Sequence, residues 1–341
     1  MAETTFPAEA WGRIAPSDVG IDAGKLGAVK RWLDDHAEHR GYRFVVVRDG
    51  RVAVEWNKGI DAADRLHIAS ANKSLISSAL GIAVGEGRIG SADDPAVDYF
   101  PEMMDVPPGE GPKEGRYAFP ANAGITLRHL ICNVSGYMKP DERPGEVYHY
   151  QTNGMHVVTH CIERAYGLYD IDDPAGSPKL KTLFREKLGE AIGADWEYAS
   201  GSQKMHDTAK QSVFGWGSQI RTTALDFARL GWCWLNWGRW RDRQVIPEAW
   251  MREATKVAPD ILAHCPEDTW QYGHGFWTNE RGRMWPALPR DAYMAAGAGG
   301  HHCAVLPGLR MVVVTNPLPR LWEDGHAEVA EPLQLLLDAV R

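Results

Sequence analysis

Arg43-Phe44-Val45-Val46-Val47-Arg48 and Arg51-Val52-Ala53-Val54-Glu55-Trp56 are two β-rich runs separated only by Asp49-Gly50. Asp-Gly between such runs predicts a two-residue hairpin, because both central positions of the favoured turn need a positive φ. An antiparallel sheet therefore begins near residue 43. Before it, Leu26, Val29, Trp32 and Leu33 recur at helical spacing and predict an amphipathic helix from Ala23 to His36. Strand character returns late, at Tyr272 to Thr278, Tyr293 to Gly297, His302 to Leu306 and Met311 to Thr315, the last two joined by Pro307-Gly308. Helical periodicity from Ala327 to Val340 follows. Between Ser70 and about Met251 the pattern is mostly helical, broken by loops such as Pro107-Pro108-Gly109-Glu110-Gly111-Pro112.

Strands at both ends with helices between predict an α+β fold. One antiparallel sheet is built from both chain ends and flanked by helices, with an all-helical lobe inserted between its halves. The expected boundaries are 1–66 with 256–341 for the sheet domain and 67–255 for the helical one, with Ser70 at their interface. A cleft between the two is where a site belongs.

At 341 residues and 44% hydrophobic, the chain is long enough to bury a large core. Its net charge of −8, with no Lys/Arg run, argues against a nucleic-acid partner. Met1-Ala2-Glu3-Thr4-Thr5-Phe6-Pro7 lacks the basic start and apolar stretch of a secretion signal, and no apolar run reaches membrane-spanning length. A cytoplasmic protein without a membrane partner is expected; oligomeric state leaves no mark in the sequence. Cys132, Cys161, Cys233, Cys265 and Cys303 are scattered and odd in number, which predicts reduced, mostly buried thiols. His156 and His160 have the i,i+4 spacing of a zinc pair, but no Glu lies between them and no third ligand is marked. His36 with His39, and His301 with His302, read as surface or core residues. No metal or other cofactor is expected.

Ser70-Ala71-Asn72-Lys73 carries the chemistry. Leu75, Ile76, Ala79, Leu80 and Ala83 run on at helical spacing to Gly85 and Gly87, so Ser70 falls at a helix start. A side chain three residues later shares its face, which sets an amine beside a hydroxyl. Unpaired N–H groups at the helix N-terminus favour negative charge developing there. Capping by Ser70 and solvation of Lys73 is the structural alternative. No Gly-x-Ser-x-Gly elbow competes, and the acid pairs Asp34-Asp35, Asp93-Asp94 and Asp172-Asp173 read as turn or surface residues.

Further along lies Pro144-Gly145-Glu146-Val147-Tyr148-His149-Tyr150-Gln151-Thr152-Asn153-Gly154. With His67-Ile68-Ala69-Ser70, Ile125-Thr126-Leu127-Arg128-His129-Leu130, Ser135-Gly136-Tyr137 and the Arg221–Leu230 segment, the chain resembles the serine β-lactamase and penicillin-binding-protein superfamily, specifically its class C β-lactamase-related esterases and amidases. The resemblance runs from the Asp49-Gly50 hairpin to the last helix. It implies a serine hydrolase in which a tyrosine of a Tyr-x-Asn element shares proton transfer with the lysine. Tyr150, six residues after Pro144, is favoured over Tyr148. Thr152 stands where Asn is usual and Asn153 follows, so either is a candidate contact to Lys73 or substrate.

The resemblance also implies a strand facing the nucleophile, usually reading Lys-Thr-Gly. Here that place holds Ala295-Ala296-Gly297-Ala298. Gly297 permits close approach, and the N–H groups of Ser70 and Ala298 become the expected oxyanion donors. Ala295 removes the cation that would pair a substrate carboxylate, which moves penicillin hydrolysis behind small-ester or amide cleavage. Trp277 and His301 are candidate substrate contacts, with Tyr272, Phe276 and Trp285 as neighbours lining the cleft. Trp232, Trp234, Trp237 and Trp240 read as core. The functional order is serine esterase or amidase acting on a small molecule through an acyl-enzyme, then an acyltransferase, then a β-lactamase or D-peptidase, and last a non-catalytic binder.

Overall fold

The computed structural model of the protein describes residues 4–37, 40–202, 211–214, 216–319 and 329–341. The hairpin is present as β1 (Tyr42–Arg48) and β2 (Arg51–Lys58), paired from Arg48 with Arg51 outward. Asp49 and Gly50 take φ of 50° and 77°, the left-handed pair such a turn requires. β2 is an edge strand and alternates in burial, whereas β1 is buried almost throughout because β11 (Met311–Thr315) covers its other side.

The remaining elements follow in chain order. After α1 (Ala23–Asp35) and the hairpin come β3 (Leu66–His67), α2 (Asn72–Gly85), α3 (Leu127–Ile131), α4 (Asn153–Ala165), β4 (Glu197–Ser202) and β5 (Trp216–Thr222). Then come α5 (Ala224–Leu235), a small β6–β7 hairpin (Arg239–Trp240, Arg243–Gln244) and α6 (Glu248–Ala254). The C-terminal part holds α7 (Pro259–His264), β8 (Trp277–Thr278), β9 (Tyr293–Gly297), β10 (His301–Leu306), β11 and α8 (Ala330–Asp338). The large sheet is antiparallel in the order β2-β1-β11-β10-β9-β8, so strands from both ends of the chain meet at the β1–β11 pair.

Alternation along these strands sets two layers of helices. Val45, Val47, Val312, Val314 and Cys303 share one face, and α5 lies on it; a Cβ on Gly231 would stand 2.4 Å from Cys303 Sγ and 2.6 Å from Val312. Tyr42 and Phe44 point the other way, where the Tyr42 hydroxyl donates to Asp34 of α1 and α8 packs beside that helix. Trp232 and Trp234 of α5 are fully buried, as a core role requires. All five cysteines are free and buried. α2 is buried on nearly every side from Asn72 to Ala83, which explains why its sequence is apolar around most of the helix.

Two expectations about elements need correcting. The inserted segment is mostly helical but not wholly so, since β4 and β5 pair with each other and β5 with β3 in a three-stranded sheet. Their sequences are rich in Gly and Ser and lack alternation, so pairing rather than local propensity makes them strands. The run from Tyr272 narrows to the two residues of β8 plus a Tyr272–Trp277 bridge, because Gly275 at φ 77° turns the chain between them. Of the predicted helix from Ala327 to Val340, the described part is helical from Ala330 to Asp338; residues 327 and 328, like His39, lie outside the described residues.

Candidate active site

Ser70 sits on a single 3-10 turn, Ala69–Ala71, that feeds directly into α2. Ala69 before it has φ 47°, a left-handed conformation that costs a side-chain-bearing residue on the order of 1 kcal/mol. The turn is held from behind by β9: a Cβ on Gly297 would lie 2.0 Å from the Ile68 carbonyl oxygen and 3.0 Å from the Ala71 nitrogen. Gly297 is thus required by close approach of strand to turn. Ala298 opens the exposed turn that follows.

One helical turn on, Lys73 Nζ donates to Ser70 Oγ at 3.1 Å. Lys73 is 5% exposed, and burial lowers its pKa to about 8. Its ammonium lies 4.7 Å from the centre of the Tyr150 ring. Burial also raises the Tyr150 phenol to about 12, against a smaller downward pull from Ser70. No aligned hydrogen bond reaches the buried Tyr150 hydroxyl among the described residues, so the phenol is close to Ser70 without being tied to it. Its ring is boxed by Tyr272 (5.7 Å, edge-on) and Trp277 (5.3 Å). Tyr148 packs in the same cluster, 5.8 Å from Tyr272, where burial first and then Tyr150, Cys132 and Cys265 raise its phenol. Of the two tyrosines, Tyr150 is the one at Ser70 and Lys73.

A cavity of about 230 Å³ opens in front of this group. Ser70 and Lys73 form one wall, Thr152, Met155 and His156 a second, and Gly217, Ser218 and Gln219 of β5 a third.

The sequence profile of the beta-lactamase family matches residues 29–324. The chain belongs to the beta-lactamase family. An uncharacterized protein of Alkalihalophilus pseudofirmus is 21% identical over 273 residues, 75% of this chain and 74% of the relative. Among solved structures, a penicillin-binding protein homolog from Caulobacter crescentus superposes with a TM-score of 0.67 at 15% identity, covering 94% of this chain and 99% of the other. A Bacillus anthracis protein assigned as a 6-aminohexanoate-dimer hydrolase gives 0.67 at 16% identity, over 96% and 86%. At these identities the structural likeness is one of fold. Membership in the beta-lactamase family supports a hydrolase-type function.

The other candidate residues of this beta-lactamase-family chain divide by position. Thr152 reaches the Ser70 cavity, whereas Asn153, whose buried Oδ1 has no hydrogen-bond partner among the described residues, lines a second cavity beside it. Trp277 is 9% exposed and supports Tyr150 from the side instead of lining the cavity. Phe276 packs edge-on against Trp234 and Tyr293, and Trp285 is 1% exposed, so both belong to the core and not to the cleft. Their apolar character predicted burial but not which side of the sheet would receive it. His301 opens β10 opposite Gly297 and lies away from the Ser70 cavity; burial, then the charges of Arg40 and Arg43, lower its pKa to about 4, so it is neutral at pH 7.

His160 is a core histidine, 2.8 Å from Glu163 and stacked on Tyr169. Among the described residues no group of three His, Cys, Asp or Glu is arranged to hold a metal, and no helix is long and apolar enough to cross a membrane. Among the cavity residues that sequence reasoning missed are Asn72, Ser218 and Gln219. Asn72 Nδ2 donates to the Ser218 carbonyl at 2.7 Å and fixes β5 against α2, bringing Ser218 and Gln219 to the cavity. The available signal was the amide side chain lying between Ser70 and Lys73 in the sequence.

Proposed function

We propose that this chain is a serine hydrolase that cleaves a small ester or amide through an acyl-enzyme on Ser70. The observation that carries the reading is the 3.1 Å contact between Lys73 Nζ and Ser70 Oγ with the lysine pKa at about 8. An amine with that pKa is neutral in an appreciable fraction of molecules near neutral pH, unlike a free lysine. It takes the proton as Ser70 Oγ bonds to the acyl carbon. The carbonyl oxygen becomes an oxyanion, stabilised by the N–H groups of Ser70 and Ala298. Tyr150, whose pKa is near 12, stays protonated at rest and acts as donor. As the bond to the leaving oxygen or nitrogen breaks, Tyr150 supplies its proton and regains one from Lys73. Water then attacks the acyl group with the same pair working in the reverse direction, releasing the acid and Ser70. Every step is a proton transfer or acyl substitution, so no cofactor is needed.

Ala295 is buried in β9 and offers no cation to a substrate carboxylate. That favours esters and simple amides over penicillins. The test is mass spectrometry after treatment with a fluorophosphonate or a 4-nitrophenyl ester. An adduct on the Ser70 peptide, absent in Ser70→Ala, is expected; labelling of any other residue overturns the reading.

A further inference from the structure

Thr152 borders two cavities. Beside the one at Ser70 lies a second of about 270 Å³, whose lining includes Tyr150, Thr152 and Asn153 together with Lys113, Arg116 and Lys139. Three cations thus converge on a space that shares Tyr150 and Thr152 with the reacting group. Lys139 is 5% exposed, and the charges of Arg116 and Lys113 add to burial in making its own protonated form harder to keep. Glu142 answers Lys139, accepting at 2.8 Å on both oxygens, and also lies 3.2 Å from His149. Lys113 and Arg116 have no carboxylate within salt-bridge distance among the described residues. On a chain with net charge −8, two unneutralised cations facing one cavity are an excess that an anion would balance.

We propose that this cavity holds a carboxylate of the substrate, so that the preferred ester or amide carries an acid group on the side of the scissile bond lying over Thr152. The inference rests on the Ser70 reading above and deepens it. The cation missing from β9 at Ala295 is replaced, but from the loops of the inserted segment rather than from the sheet. The anion therefore binds on the Tyr150 and Thr152 side of the nucleophile.

The test uses two matched pairs of substrates. Mono-4-nitrophenyl glutarate against 4-nitrophenyl valerate places the acid on the acyl side; 4-acetoxybenzoate against phenyl acetate places it on the leaving side. In at least one pair the anionic member should be preferred in kcat/KM by roughly tenfold or more, with the ratio shrinking as salt is added. Lys113→Gln with Arg116→Gln should bring that ratio to about one, and Lys113→Glu with Arg116→Glu should invert it. Ratios near one for both pairs in the unaltered protein, or a ratio that survives the Gln pair, overturn the proposal. Turnover failure does not hide the answer, because titration calorimetry with glutarate reads the cavity directly. Saturable binding lost in the Gln pair supports the carboxylate site, and absence of binding by the unaltered protein overturns it. Absence of Ser70 labelling, by contrast, counts only against the catalytic reading.

Discussion

Lys73 Nζ lies 3.1 Å from Ser70 Oγ, and its burial leaves an amine with a pKa of about 8 beside the hydroxyl. A base must be unprotonated to act, so kcat/KM on a neutral ester should rise about tenfold per pH unit below pH 8 and level off above it. A pH–rate profile checks this. An inflection near 6.5 would instead implicate a histidine.

The same burial has a stability consequence of opposite sign to most ion pairs. Because the folded pKa of Lys73 lies below the value of about 10.5 expected when unfolded, the unfolded chain binds more protons between about pH 8 and 10.5, and stability contributed by this site rises across that window. Below pH 8 the full cost, about 3 kcal/mol, is present. Lys73→Met should therefore stabilise the protein at pH 7 while abolishing activity, and the gain should fade by pH 10. Urea unfolding at the two pH values measures it.

Tyr150 and Tyr148 are separated by the same kind of test. Tyr150→Phe keeps the ring against Tyr272 and Trp277 but removes the proton donor, so kcat should fall by about a hundredfold or more with little change in melting temperature. Tyr148→Phe should stay within about twofold of the unaltered protein. Equal losses in both would refute the assignment.

At Gly297 a single methyl group is enough to disturb the site. The Cβ of Gly297→Ala would meet the Ile68 carbonyl at 2.0 Å, forcing β9 away from the Ser70 turn. Destabilisation of roughly 2 kcal/mol or more is expected, with about a hundredfold loss of kcat as the Ala298 N–H moves off the oxyanion position proposed for it. Calorimetry and steady-state kinetics together check the pair of effects.

Interior strands were the most legible part of the fold. Tyr293–Gly297 and Met311–Thr315 have the limits expected from sequence, because each is a β-prone run bounded by turn residues. β4 and β5 carry no such pattern, and their partner strands lie elsewhere in the chain. The Ser70 and Lys73 juxtaposition follows from helical spacing alone. Choosing Tyr150 over Tyr148 does not, since residues two apart on an extended segment project to the same side and it is Lys73 and Trp277, which pack on Tyr150, that distinguish them. The left-handed Ala69 is likewise invisible locally: Ala has no preference for that conformation, and it lies between Ile68 and Ala71, the residues that Gly297 approaches closely. Lys113, Arg116 and Lys139 come together from separate loop positions with no spacing that marks them as a group.

Contact between Gly297 and the Ser70 turn also orders events in time. Gly297 is translated roughly 230 residues after Ser70, on the order of 10 to 45 s later at ordinary synthesis rates. During that interval the Ser70 turn and the start of α2 have been made, but β9 does not yet back the turn and the Ala298 N–H of the proposed oxyanion site is absent. On the acyl-enzyme mechanism proposed above, acylating capacity would be withheld from nascent chains until the C-terminal strands have been made and have paired, β11 with β1 and β9 through β10.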